Sequence, residues 1–295
     1  MSRVPAARSP RLAAIWRVST IAALFAILLL LQPLALAQGV AMVTDVSGSV
    51  TGDTPVTITS ELAADARVRM AKGGTLVVIY LNSGDEYTFT GPAEIEFRAG
   101  QPQVVSGAPP RRRASPLTKG ANVKIRPLGI SQGGFVMRST PGSARIRLLS
   151  LSGTATLDVN PEFRWEASAK AQYRFELADE TGRSLHETEV AGGSFTLPES
   201  MRLAEGVGYT WQVSARLADG RRYIGAGDFR IATTELQAQA RELRPAAGAP
   251  VSERVAYGAW LEQVELRDEA RKYWRALSAE RPQDTKLKEL AGERL

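Results

Sequence analysis

Between residues 161 and 231 apolar and polar residues alternate in short runs broken by turn residues, and this stretch limits the possible folds more than any other. Phe163, Trp165 and Ala167 alternate with Arg164 and Glu166; Tyr173, Phe175 and Leu177 repeat the pattern, as do Tyr209, Trp211, Val213, Ala215 and Leu217. A side-chain period of two marks strands with one buried face. Of the chain's 5 Trp, 7 Tyr and 8 Phe, nine lie in this stretch, so the largest β core is expected here.

A chain of 295 residues has room for more than one core. Its start carries Arg3, Arg8, Arg11 and Arg17, an unbroken apolar run over 21–31, and the ending Ala35-Leu36-Ala37 before Gln38. That order is the pattern of a secretory signal peptide over 1–37, cleaved after Ala37. As a helix the apolar run would reach only about 16 Å, against roughly 30 Å of bilayer core. An exported, periplasmic or envelope-associated protein is expected, with membrane contact only through the N-terminal segment if it is uncleaved. The net charge of +6 includes those four arginines; without them 33 basic residues face 31 acidic ones, a net of +2. Bulk charge therefore does not support a nucleic-acid partner. With no cysteine there is no disulfide scaffold, thiol nucleophile or cysteine-ligated metal. No cofactor is expected.

Residues 38–106 again read as short strands, GVAMVTDVSGSVTG, PVTIT, ARVRMA, TLVVIYLN, EYTFTG and AEIEF, punctuated by glycine turns. The apolar run Leu76 to Leu81 predicts a central strand. Gly48-x-Val50, Leu62, Ala66-Arg67-Val68 and LVVIYLNSGDEYTFTGPAEIEF resemble the FecR-type domain of bacterial envelope proteins. FecR-type sigma regulators carry an anti-sigma segment ahead of a membrane helix. Only about seventeen residues precede the apolar run here, too few to fold, so the resemblance does not bring the signalling role with it. Residues 107–126 read as a Pro- and Arg-rich linker in which Arg111, Arg112, Arg113 and Lys119 are solvated.

A β-sandwich with its leading strands is expected over 127–233, with FVMRS, ARIRLLSLSG and TATLDV feeding into it. Leu203-x-x-Gly206-x-x-Tyr209-x-Trp211-x-Val213 resembles strand F of fibronectin type III and immunoglobulin-like domains. There a tyrosine at the strand start hydrogen-bonds back across the corner. The resemblance places Trp165 as the core tryptophan of the facing sheet.

After Ile231 the period becomes 3.6 residues, so 234–295 is expected to be a helical tail. Gly258, Leu261, Ala270, Trp274 and Pro282 fall at the offsets of a tetratricopeptide repeat, with Tyr257 in the usual leucine place. The resemblance implies a helical hairpin in which Gly258 and Ala270 allow close approach. Asp284 is expected to cap a third helix. A single repeat leaves Leu261, Val264, Trp274 and Leu277 needing cover, from the chain itself or from a partner.

Nothing in the residue pattern supports catalysis. His186 is the only histidine, a surface residue whose neighbours Glu187 and Glu189 make no cage. The carboxylates Asp45, Asp53, Asp85 and Glu86 read as turn residues. The chain is thus expected to be mainly β with a C-terminal α-helical hairpin, and to be a non-enzymatic binding or scaffold protein of the cell envelope. The partner would be an envelope protein or a cell-wall glycan. A membrane-anchored sensory protein of FecR type is the alternative. The candidate partner-contacting residues are Tyr257, Leu261 and Trp274 on the tail, with Tyr87, Arg221, Arg222 and Tyr223 on the β-domains.

Overall fold

A computed structural model describes residues 39–115, 144–166, 172–216, 220 and 222–293. The expected signal segment, residues 116–126 of the expected linker, the FVMRS run and Arg221 lie outside the described residues.

The first nine strands are Gly39–Ser47 (β1), Val50–Gly52 (β2), Glu61–Ala63 (β3), Arg67–Met70 (β4), Thr75–Tyr80 (β5), Asp85–Thr90 (β6), Ala93–Phe97 (β7), Pro102–Ser106 (β8) and Arg111–Ala114 (β9). They form a five-stranded sheet in the order β3-β1-β5-β6-β9 and a four-stranded sheet in the order β2-β4-β7-β8. Ala41, Val43, Leu76, Val78, Tyr80, Tyr87 and Phe89 from the first meet Val68, Met70, Ile95 and Phe97 from the second in one core. The rings of Tyr80 and Phe89 lie 6.4 and 6.2 Å from that of Phe97. Strand β5 is the middle strand, as its apolar run predicts, and it is buried on both faces. That double burial is why the run is continuous instead of alternating.

Strand β9 corrects the expected linker. The arginine triplet runs antiparallel to β6, with Arg113 opposite Glu86 and Arg112 opposite Tyr87. Arg112 pairs with Asp85 at 2.8 Å and stands 6.0 Å over the Tyr87 ring; Arg113 pairs with Glu86 at 2.6 Å. The guanidinium of Arg112 hydrogen-bonds the Asp85 carboxylate and lowers its pKa. The charge run is a strand because each of these two cations meets a carboxylate on β6.

The sandwich comprises Ala144–Arg145 (β10), Thr154–Thr156 (β11), Glu162–Arg164 (β12), Gln172–Asp179 (β13), Ser184–Ala191 (β14), Ser194–Thr196 (β15), Gly208–Arg216 (β16) and Arg222–Ile231 (β17). One sheet runs β17-β16-β13-β14, with β10 and β11 both parallel to β17; the other pairs β12 with β15 and is extended by a bridge between Leu148 and Trp165. Phe163 lies at the centre, its ring 4.9 Å from Phe175, 5.2 Å from Trp211 and 5.5 Å from Phe229, all edge-on. Trp165 is buried against Tyr173 and Trp211. The Tyr209 hydroxyl accepts the Ala204 N–H at 2.9 Å, closing the corner that precedes β16. The Trp211 indole N–H donates to the Leu151 carbonyl at 2.7 Å.

Four helices follow: Thr234–Glu242 (α1), Val251–Gln263 (α2), Arg267–Glu280 (α3) and Thr285–Ala291 (α4). Asp284 caps α4 through the amides of Lys286 and Leu287. Gly258 lies under the Trp274 ring so closely that a Cβ there would sit 2.6 Å from it. The apolar faces of α1–α4 share one core with Ile58 and with Met42 and Ile79, cross-strand neighbours on β1 and β5 that point away from the inter-sheet core. The helices thus cover the outer face of the β1–β5 pair, and each such side chain contributes about 1.5–3 kcal/mol on burial.

Polar ties connect the tail to both β regions. Arg281 binds Asp45 of β1 through two hydrogen bonds, 2.6 and 3.2 Å long. Arg113 reaches Glu253 of α2 at 2.8 Å. On the sandwich side, the Asp268 carboxylate accepts the Leu151 N–H at 2.7 Å and Arg267 donates to the Gly153 carbonyl at 2.7 Å. Glu265, at the turn between α2 and α3, adopts φ 64° and offers its carbonyl to the Ala155 N–H at 2.7 Å.

Two predictions follow from the tail. Gly258→Ala would gain about 1 kcal/mol in helix propensity, but the 2.6 Å approach to Trp274 must be relieved by moving a packed ring, at about 1–3 kcal/mol. Chemical denaturation is expected to show a net loss of stability. The second concerns Glu262, whose carboxylate accepts the Trp274 N–H at 3.2 Å and has its pKa raised by burial. A raised folded-state pKa means that the stabilising form is the protonated one: its contribution is present below the ordinary value of 4.5 and lost as pH rises through the folded value. Glu262→Gln keeps an acceptor and never ionises, so it should melt above the parent at about pH 7, the gap closing towards about pH 4.

Candidate binding surface

The aromatic core of the sandwich uses one phase of each strand, which leaves the other phase as an outward sheet. On β13 the outward residues are Gln172, Arg174 and Glu176; on β16 they are Thr210, Gln212, Ser214 and Arg216. Strand β14 adds Glu187 and Glu189, and β17 adds Arg222, Ile224 and Asp228. Part of this face, with Arg174, Glu176, Glu189, Gln212, Ser214, Arg216 and Arg222, lines a shallow groove of about 570 Å3.

Two of its cross-strand pairs carry like charges. Arg216 stands directly opposite Arg222 across β16 and β17, and Glu176 stands directly opposite Glu187 across β13 and β14. In the first β region the cross-strand partners have opposite signs: Arg67 faces Glu96, Arg69 faces Glu94 and Arg113 faces Glu86. Like charges directly opposite each other are unfavourable. Arg174 sits in the middle of the groove and pairs with Glu187 at 2.7 Å, which, with Glu176 and Glu189 nearby, strengthens its hold on its proton. Among the described residues neither Arg216 nor Arg222 makes an ion pair. The β16–β17 half carries Arg216, Arg222 and Asp228, and the β13–β14 half carries Glu176, Glu187 and Glu189 around Arg174.

A second cleft of about 510 Å3 lies at the far end of this face, where Thr210 and Asp228 meet the turn between α2 and α3. Arg230 and Glu265 approach there to 3.8 Å.

The structure places the remaining candidates elsewhere. Tyr257, Leu261 and Trp274 are buried in the core that the helices share with β1 and β5, so they are not a surface for a partner. The Tyr257 hydroxyl donates to the Ala240 carbonyl at 2.8 Å, and burial pushes its pKa up to about 12. Tyr87 is buried between the sheets of the first β region. Tyr223 is half-buried against the sandwich core, because it takes the inward phase beside Ala215. Only Arg222 points into the groove. His186 is also on the inward phase, stacked on Phe195 with centroids 5.4 Å apart, and is not the free surface residue that its turn-rich context suggests. The four carboxylates all have structural partners: Asp45 binds Arg281, Asp53 accepts the Arg67 N–H at 3.0 Å, Asp85 pairs with Arg112 and Glu86 with Arg113. Sequence reasoning missed Arg174, Glu176, Glu187, Glu189, Gln212, Ser214 and Arg216 as a set. The signal for them was the polar phase of YRFELAD, HETEVA and YTWQVSAR, which registers across strands only once the pairing is known.

Replacing Arg222 with Glu converts a like-charge pair into an opposite one. At low protein concentration it is expected to raise unfolding stability by roughly 0.5–1 kcal/mol, read by urea denaturation.

No protein-family model matches the chain, and no curated protein matches it. Solved structures similar to parts of it include CopC from Methylosinus trichosporium OB3b, at 16% identity and a TM-score of 0.24, covering 30% of this chain and 95% of that one. The fibronectin(III)-like modules of Clostridium thermocellum CbhA align at 12% identity and 0.22, over 30% of this chain and 94% of theirs. A tetra-tandem repeat from the extending region of a large adhesion protein aligns at 14% and 0.21, over 63% and 49%. At such scores the likenesses carry no argument about activity, and the chain's own strand order and side chains are what its mainly β architecture with a C-terminal helical region rests on.

Proposed function

We propose that this chain is an exported scaffold and binding protein of the cell envelope. In this reading a FecR-like β-domain and a fibronectin type III or immunoglobulin-like sandwich are held together by a tetratricopeptide-like tail, and the outward sandwich sheet meets an envelope protein or a cell-wall glycan. The observation that carries it is the groove of about 570 Å3, a polar, charged face on a sheet whose other side is a closed aromatic core. The strand order, with β12 beside β15 and β14-β13-β16-β17 in the facing sheet, supports the fibronectin-like assignment, as does the Tyr209 corner. Gly258 beneath Trp274 supports the tetratricopeptide-like one. The tail acts as internal cover and not as a docking groove, because its apolar face is already occupied. Export is supported by the Arg-rich, apolar, Ala-x-Ala start. Among the described residues no helix is long and apolar enough to cross a membrane.

The test is a photo-crosslinking residue in place of Ser214, in the protein expressed from its full sequence, with the same probe at Lys272 on α3 as a control. An adduct from Ser214 alone, on protein whose N-terminus is Gln38, is the expected result. Adducts from Lys272 alone would move the binding face to the tail. An intact Met1 in the membrane fraction would favour the anchored sensory protein instead.

A further inference from the structure

Along β16 the outward line reads Arg216, Ser214, Gln212 and Thr210, a cation followed by neutral hydrogen-bonding side chains. Arg222 stands directly opposite Arg216, and Gln172 lines the same end of the groove from β13, two residues beyond the Arg174–Ser214 pair. Directly opposed side chains start about 5 Å apart, so two guanidinium forks there can close on one oxyanion. Arg174 is already paired with Glu187, whereas among the described residues Arg216 and Arg222 have no ion pair. Glu176 stands opposite Gln212, four residues or about 13 Å along the strands from Arg216, and Glu189 lies beyond β13. Resting on the reading of this face as the recognition surface, we propose that its ligand is an acidic saccharide. Arg216 and Arg222 hold a sugar carboxylate, Gln172 and Ser214 meet neighbouring hydroxyls, and uncharged sugar continues along β16 over Gln212.

The composition of the face selects that chemistry. Among the described residues its outward phase carries no aromatic side chain, and the only large hydrophobic side chain strongly exposed is Val105, on β8 and away from this sheet. A protein partner would find none of the aromatic anchors that dominate protein interfaces. Sugar hydroxyls, by contrast, both donate and accept, and so do the side chains of Gln172, Gln212 and Ser214. The ligand's charge must also be local. Glu176 and Glu189 line the same groove, so a dense polyanion running its length would meet carboxylates. One carboxylate at the Arg216 end with uncharged sugar beyond it suits both signs. The line from Arg216 to Gln212, about 13 Å, has room for a short oligosaccharide. With no ring to stack on, the sugar is held by hydrogen bonds and one exposed charge contact, so binding depends on salt.

Isothermal titration calorimetry on the purified protein, expressed from its full sequence, tests this directly. The probes are a trisaccharide with one terminal uronic acid and two neutral sugars, its carboxyl-reduced neutral counterpart, and a hexaglutamate peptide. At about 0.05 M salt the parent is expected to bind the acidic trisaccharide roughly tenfold or more tightly than the reduced one, and to lose that preference by about 1 M. The variant Arg216→Gln/Arg222→Gln removes a like-charged pair and leaves the aromatic core untouched. It should keep a parent-like melting transition and lose roughly tenfold or more in affinity for the acidic trisaccharide. Equal affinity for the two trisaccharides overturns the proposal, as does a folded Gln variant that binds like the parent, or hexaglutamate binding as tightly as the acidic sugar. A parent that binds no saccharide also overturns it. If Ser214 still gives an adduct with an envelope protein, only the ligand class falls and the binding reading stays in place; with no adduct either, both fall.

Discussion

The structure depends on covering the outer face of the β1–β5 pair. Met42 and Ile79 project from that face, opposite the inter-sheet core that their neighbours Ala41, Val43, Val78 and Tyr80 fill. A sheet buried on both sides needs a second apolar layer, and the last four helices supply it. This answers how a single helical hairpin, which cannot bury its own hydrophobic face, persists here. It also explains the ties at the margin: Asp45 with Arg281, and Arg113 with both Glu86 and Glu253. They form a polar rim beside the apolar contact. Their worth is set by partial burial, since exposed pairs of this kind contribute about 0–1 kcal/mol.

Much of the local structure was legible because its causes are local. The run from Leu76 to Leu81 marked a central strand, and its lack of alternation recorded the second buried face that the helices occupy. Tyr209 closed the corner at Ala204, and Trp165 and Trp211 met in the sandwich core. Gly258 and Trp274 showed that the two helices approach closely, and Asp284 capped the last helix. Each of these follows from a short-range requirement of backbone or packing.

What was not legible depends on pairings between distant residues. Arg111–Ala114 looked like a connector because nothing in PPRRRAS announces that Asp85 and Glu86 lie opposite it. Tyr257, Leu261 and Trp274 looked available because the sheet that covers them is some two hundred residues earlier. The like-charged pairs of the sandwich face were hidden for the same reason. Arg216 and Arg222 become a like-charged pair, and Glu176 and Glu187 another, only through the strand register. A face so arranged is held by the aromatic layer beneath it, where Phe163 links both sheets.

The central claim is that the helical tail and the β1–β5 sheet form one cooperative unit. Native-state hydrogen exchange measures it most directly. The account predicts that the most protected amides of β1, β5, α2 and α3 open with the same free energy and respond alike to denaturant. Helices that exchange through a lower-energy opening while β1 and β5 keep full protection would contradict it, and would return the tail to the role of a separable docking module.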